Sequence, residues 1–270
     1  MRRLVLKMSI TAVASLAGVL MLATSATADA PKPVVTRLGV DKPTHLLFVG
    51  NSYLYYGDSL HNHVRRMVEA AELRAASELK YKSATISGAA LFDHDLDSYL
   101  EPGKLRVAEP FQVVILQGGS ALGWSKKRPP RFQQTVAEFT RKIVDAGGEP
   151  ALYMTHAYVA PHKRVDPAMT AKLSEIYTEV GNANGALVIP VGLAFEEAYR
   201  RKPEIKLHKA FDGSHPSLLG TYLAACTVFA SIYAVSPVGN PYDYYGEIDK
   251  VNADFLQRVA WDTVSAYYQK

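Results

Sequence analysis

Short, fully apolar runs alternate along this chain with longer stretches of helical period, and few architectures accept that alternation. Leu46-Leu47-Phe48-Val49, Val113-Val114-Ile115-Leu116, residues 151–155 and Leu187-Val188-Ile189 are too short for helices and rich in β-branched or bulky residues, as buried strands are. Thr85-Ile86-Ser87 reads as the end of another strand. Between them, residues 58–79 put Leu60, Val64, Met67, Val68 and Ala71 on one helical face. Further helices are expected over 131–146, stopping at Gly147-Gly148, over 167–180, closing near Gly181, and over 216–234 and 250–268. Strands alternating with helices predict an α/β protein: a parallel five-stranded sheet between helical layers, a three-layer α/β/α sandwich. In such sheets ligands bind beyond the carboxyl ends of the strands. Polar residues and glycines gather at four of those ends: Gly50-Asn51-Ser52, Ser87-Gly88, Gln117-Gly118-Gly119-Ser120 and Thr155-His156.

The first 28 residues read as a signal peptide. Arg2, Arg3 and Lys7 precede an apolar stretch, residues 10–23, and Ala26-Thr27-Ala28 is a small-x-small cleavage pattern. The apolar stretch is short for a bilayer span, so an exported protein, periplasmic or secreted, with no stable membrane anchor is expected. Residues 29–43, with Pro31, Pro33 and Pro43, read as an extended lead-in, and 44–270 as one domain. Without residues 1–28 there remain 27 basic residues against 26 acidic ones, a net charge of +1. That balance gives no support to nucleic-acid binding. The single cysteine, Cys226, lies in an apolar run and reads as a buried small hydrophobe.

Chemistry concentrates in two segments. Ser52 directly follows a buried strand and a glycine two residues before it, where a sharp turn can present its hydroxyl. A serine hydroxyl is a weak nucleophile until a base takes its proton and a third group orients that base. The segment is not a G-x-S-x-G elbow, because Leu54 fills the last position. Near the other end, Asp212-Gly213-Ser214-His215-Pro216 can hold a carboxylate against an imidazole on one loop, with Pro216 suited to a helix's first turn. Blander roles exist: Ser52 as a turn residue, Asp212 as a helix N-cap. Ser120 is a rival nucleophile.

These segments together resemble the SGNH (GDSL) hydrolases. The family's G-D-S block matches Gly50-Asn51-Ser52, with Asn in place of Asp; its glycine after the second strand matches Gly88; its D-x-x-H-P block matches Asp212 to Pro216. The resemblance runs over nearly the whole chain after residue 28 and implies a flavodoxin-like sheet and a Ser52–His215–Asp212 triad. It also implies an oxyanion hole made by the backbone N–H groups of Ser52 and Gly88. One block departs. The family's G-x-N-D after the third strand carries an oxyanion-binding Asn, whereas this chain has Gln117-Gly118-Gly119-Ser120. Gln117 has an amide on a longer stem and is the candidate third donor, with Ser120 second.

Asn51, Tyr53, Ser120 and His156 are expected to line the substrate pocket. His61 and His63 are two apart on a helix and point apart, and His94 stands among Asp93, Asp95 and Asp97 at a solvated helix start, so no metal and no cofactor is expected. Trp124, with Lys126, Lys127, Arg128 and Arg131 close in sequence, forms a basic loop, either solvated or a lid over an anionic polymer. The expected activity is hydrolysis of a short acyl or carbohydrate O-acetyl ester, from a small-molecule or glycan partner. Acyl transfer to an envelope polysaccharide and non-catalytic glycan binding are the other readings.

Overall fold

The structure is a computed structural model that describes residues 30–269. The expected signal peptide lies outside the described residues. Among the described residues, five strands form one sheet: β1 (His45–Gly50), β2 (Lys80–Thr85), β3 (Val113–Gln117), β4 (Glu149–Tyr153) and β5 (Leu187–Ile189). Their order is β2-β1-β3-β4-β5, and every pairing is parallel. This is the flavodoxin-like order, whose switch point lies between β1 and β3.

Because successive strand residues face opposite ways, the strands divide the core in two. Leu46, Phe48, Val113, Ile115, Ala151 and Tyr153 face one layer, with α2 (Leu60–Ala70), α6 (Val191–Arg201), α7 (Leu218–Tyr233) and α8 (Lys250–Tyr268). Leu47, Val49, Val114, Leu116, Leu152 and Val188 face the other, with α3 (Leu96–Leu100), α4 (Arg128–Asp145) and α5 (Met169–Asn184). Helix α7 is buried continuously from Gly220 to Tyr233, which explains its lack of a polar face. Cys226 is on it, fully buried and unpaired.

Several boundaries differ from those expected, each for a local reason. The helix expected over 58–79 ends at Ala70, because Glu72 adopts a left-handed φ of 53° and Leu73 N–H returns to Val68 O at 3.2 Å. That is a Schellman closure made without the usual glycine. Gly181 does not close α5; it lies inside the helix against Val188, and Gly185 provides the left-handed cap at φ 61°. Pro216 precedes α7 rather than opening it: Ser217 is the N-cap, and Pro216 is bridged to His208. Two helices were not anticipated, the short α1 (Ser52–Tyr55) and α6.

The lead-in, residues 31–43, has neither strand nor helix and belongs to the compact unit that begins at Pro31. It is tied down by polar groups: Val34 N–H donates to Asn182 Oδ1 at 2.8 Å, and Gly39 and Val40 N–H donate to the Glu149 carboxylate. Among the described residues no helix is long and apolar enough to cross a membrane.

Candidate active site

Ser52 is the first residue of α1, immediately beyond β1. Asn51 is the cap: its backbone is extended, and its Oδ1 accepts from Tyr53 N–H at 3.2 Å. The turn is braced from beneath, where Asn51 N–H donates to Gln117 Oε1 at 2.8 Å. A first-turn N–H has no intrahelical acceptor, so Ser52 N–H is left at the end of β1 beside its own hydroxyl.

The Asp212–His215 loop comes to meet this serine. It is fastened by Lys209 N–H to His215 O at 2.8 Å and Gly213 N–H to Lys209 O at 2.9 Å. Asp212 Oδ1 accepts from the backbone N–H of Ser214 at 2.9 Å and of His215 at 3.1 Å. Its Oδ2 accepts a short hydrogen bond from His215 Nδ1–H. With Nδ1 so occupied, the Ser52 hydroxyl donates to His215 Nε2 at 2.8 Å. Serine, imidazole and carboxylate thus form a continuous chain, joined from residues 52 and 215. Partial burial works against the Asp212 carboxylate, but the hydrogen bonds from His215, Ser214 N–H and His215 N–H hold its pKa below the usual carboxylate value. Asp212 therefore stays ionised beside the ring. The ring itself is fixed by Tyr56, stacked at 4.2 Å between centroids, and by the edge contact of Tyr53 at 5.7 Å.

The chain of groups opens into a cleft of about 170 Å³ lined in part by Asn51, Ser52, Gly88, Gly119, Arg128 and His215. The cleft lies at the carboxyl ends of β1, β2 and β3, over the switch point of the sheet. Tyr53 and Ser120 also line it. Ser120 Oγ bonds Tyr158 OH at 2.6 Å, not an imidazole, which leaves it without a base. Tyr53 OH bonds Ser214 Oγ at 2.6 Å, and burial pushes its pKa well above the usual phenol value, so it remains a neutral hydroxyl.

Two residues expected at the site, His156 in the pocket lining and Gln117 as oxyanion donor, are elsewhere. His156 is fully buried, stacked between Tyr53 at 4.7 Å and Phe195 at 4.2 Å, with Nε2 on Ser214 O at 2.8 Å. It supports the loop from behind and does not line the cleft. Gln117 is buried to 1 % exposure; its carbonyl oxygen is used on Asn51 N–H, and its Nε2 is enclosed with no partner among the described residues and does not line the cleft. With its oxygen held by Asn51 N–H and its Nε2 enclosed, Gln117 is not among the groups that line the cleft, so the structure does not place it as the expected oxyanion donor.

The sequence missed His208, which is buried beneath the loop, with Tyr199 OH at 2.7 Å from Nδ1 and Ala157 O at 3.0 Å from Nε2. Nothing marked it, since it follows a helix that was not expected. Of the basic loop, Arg128 alone lines the cleft; Arg131 stacks on Phe92 at 3.3 Å and Arg164 on the exposed Trp124 at 3.9 Å. His63 bonds Gly57 O and Tyr242 OH, both inside the protein. His94 is buried rather than solvated, while Asp95 caps α3 through Ser98 N–H. Among the described residues no three His, Cys, Asp or Glu side chains group as metal ligands do.

No protein-family model matches the chain, and no curated protein sequence does. Solved structures do. A DUF4886 family protein from Bacteroides uniformis superposes with a TM-score of 0.64 at 19% identity, over 81% of this chain and 93% of that one. A putative SGNH hydrolase from Slackia heliotrinireducens gives 0.56 at 22% identity, over 70% and 98%. An acetyl xylan esterase gives 0.54 at 16% identity, over 69% and 98%. Sheet order, the position of the cleft and these superpositions agree on one architecture: the chain has the three-layer fold of the SGNH hydrolases.

Proposed function

We propose that the protein is an exported serine hydrolase that cleaves short acyl esters, including carbohydrate O-acetyl esters, through an acyl-enzyme. The observation that carries the reading is the Ser52 hydroxyl 2.8 Å from His215 Nε2, with Asp212 on the opposite ring nitrogen. The small cleft supports a short acyl group, since about 170 Å³ is of the size that acetyl or propionyl fills. The acetyl xylan esterase with the same fold lends the O-acetyl substrate class its support. Export rests on the N-terminal charge and hydropathy pattern alone.

In this mechanism Ser52 Oγ attacks the ester carbonyl while His215 Nε2 takes its proton. The carbonyl oxygen becomes an oxyanion and accepts from Ser52 N–H and Gly88 N–H, both on the cleft wall. Asp212 stays ionised and stabilises the imidazolium. Its proton then passes from Nε2 to the leaving alkoxide, which departs as the alcohol and leaves Ser52 acylated. Water, deprotonated by His215, attacks the acyl-enzyme, and collapse releases the carboxylic acid and restores the serine. No cofactor takes part.

Labelling by a fluorophosphonate probe tests the assignment together with hydrolysis of p-nitrophenyl acetate. Both are expected in the wild type and both are lost in Ser52→Ala with an unchanged far-UV spectrum. Hydrolysis at the wild-type rate in Ser52→Ala overturns the reading. Loss of the helix signal in that variant is checked against Ser52→Gly, which leaves the same turn without a hydroxyl.

A further inference from the structure

An oxyanion needs donors that are already aimed when charge develops, because a donor that must swing into place costs reorganisation at the moment of reaction. Two backbone N–H groups serve in the mechanism above, and the residue expected to add a side-chain amide, Gln117, is buried with its oxygen held by Asn51 N–H and does not line the cleft. Among the described residues lining the cleft, one side chain still carries an amide, and it is Asn51.

The orientation of that amide is decided by its two partners. Oδ1 accepts from Tyr53 N–H at 3.2 Å, and Nδ2 donates to Ala89 O at 2.9 Å. Exchanging oxygen and nitrogen would set donor against donor and acceptor against acceptor. An Asn NH2 carries two hydrogens, and the bond to Ala89 uses one. The second has no acceptor among the described residues and lies in a side chain only 8% exposed, in the wall next to Ser52 and Gly88.

The backbone opposite keeps that hydrogen clear. Gly119 has φ 83° and ψ 150°, a region occupied almost only by glycine. A Cβ there would lie 3.3 Å from Asn51 Nδ2. A side chain at 119 would therefore fill the space into which the amide faces. The same strand end that lacks a side-chain donor thus leaves room for one from the neighbouring strand end.

We infer that the Asn51 side-chain amide is a catalytic residue of this site, donating from Nδ2 to the oxyanion alongside Ser52 N–H and Gly88 N–H. The inference rests on the serine-hydrolase reading. Asn51 then has three functions in one side chain: it caps α1, it pins the loop after β2, and it binds developing charge. The two pinning bonds hold the third donor rigid, which is what makes such a donor effective.

The experiment separates this inference from the reading beneath it. Wild-type protein is first treated with a fluorophosphonate probe and with p-nitrophenyl acetate; absence of both reactions overturns the hydrolase reading and the inference with it. In a reactive protein, Asn51→Asp keeps an oxygen for Tyr53 N–H and removes the N–H donor, and Asn51→Ser keeps a capping hydroxyl without an amide. Both are expected to lower kcat by about 10²–10³ with KM little changed. Affinity for phenylboronic acid, whose tetrahedral adduct mimics the charged intermediate, is expected to fall alongside kcat. Asn51→Ala, which loses cap and donor together, is expected to lose Tm as well. If Asn51→Asp or Asn51→Ser hydrolyses at the wild-type kcat, Asn51 is only a cap and the inference falls. It falls equally if both variants lose KM and Tm while kcat and boronate affinity hold.

Discussion

Gly213 and Val159 meet backbone to backbone: Val159 N–H donates to Gly213 O at 2.9 Å, and a Cβ on Gly213 would stand 2.0 Å from Val159 O. Gly213 also has a positive φ of 63°. This contact seats the loop that carries Asp212 on one side and His215 on the other. The hydrogen-bonded chain of Ser52, His215 and Asp212 therefore depends on a residue that is not a member of it.

Gly213→Ala is expected to push the loop away from residues 159–160. A displacement near 1 Å costs on the order of a hundredfold in rate, and the left-handed backbone adds about 1–3 kcal/mol of strain for a non-glycine residue. Steady-state hydrolysis and a thermal melt of the variant read both. Unchanged kcat and unchanged Tm would show that the loop accommodates a methyl group and that this contact does not set the geometry.

Gln117 makes a different prediction from the one its sequence position suggests. Its carbonyl oxygen satisfies the buried N–H of Asn51, and leaving such a group unpaired costs roughly 1–3 kcal/mol. Gln117→Leu is thus expected to lower unfolding free energy by that amount in a urea titration. A variant with wild-type stability and a hundredfold lower kcat would return the oxyanion role to Gln117.

Acid should destabilise the fold through its buried histidines. Burial depresses His208 from the ordinary imidazole value to about 4, and burial likewise depresses His156 and His63. For His208 the unfolded chain binds the proton near pH 6.5 and the folded one resists until about pH 4, so its stabilising effect is full above the first value and is lost as pH falls between them. His208 alone contributes ~3 kcal/mol to that loss, taking its shift as a linkage energy. Replacing His208 with Gln, which can bond Tyr199 and Ala157 without titrating, should flatten the Tm profile across that window. An equally steep profile in His208→Gln would assign the acid loss to other groups.

Strand and helix alternation made the sandwich legible, because a parallel sheet buried on both faces needs continuous apolar runs and the crossovers need helical period. The boundaries were less legible where an unusual residue held the special conformation. Glu72 closes α2 in a position that glycine usually takes, and Gly181, which looks like a stop, is a packing contact inside α5. The buried His208 carried no local signal, since its importance comes from Tyr199 and Ala157, neither of which is near it in a pattern.

The sequence alone determined which groups are available: a serine after the first strand, an Asp and a His three residues apart near the end, and glycines at the strand ends. Those are local properties, readable from residue type and spacing. Tertiary structure decided which way the amides face. Gln117 and Asn51 bear the same functional group at neighbouring strand ends, and only the pairing of Asn51 N–H with Gln117 Oε1 turns one inward and leaves the other in the cleft wall. That choice depends on contacts 66 residues apart in the chain, and no local pattern encodes it.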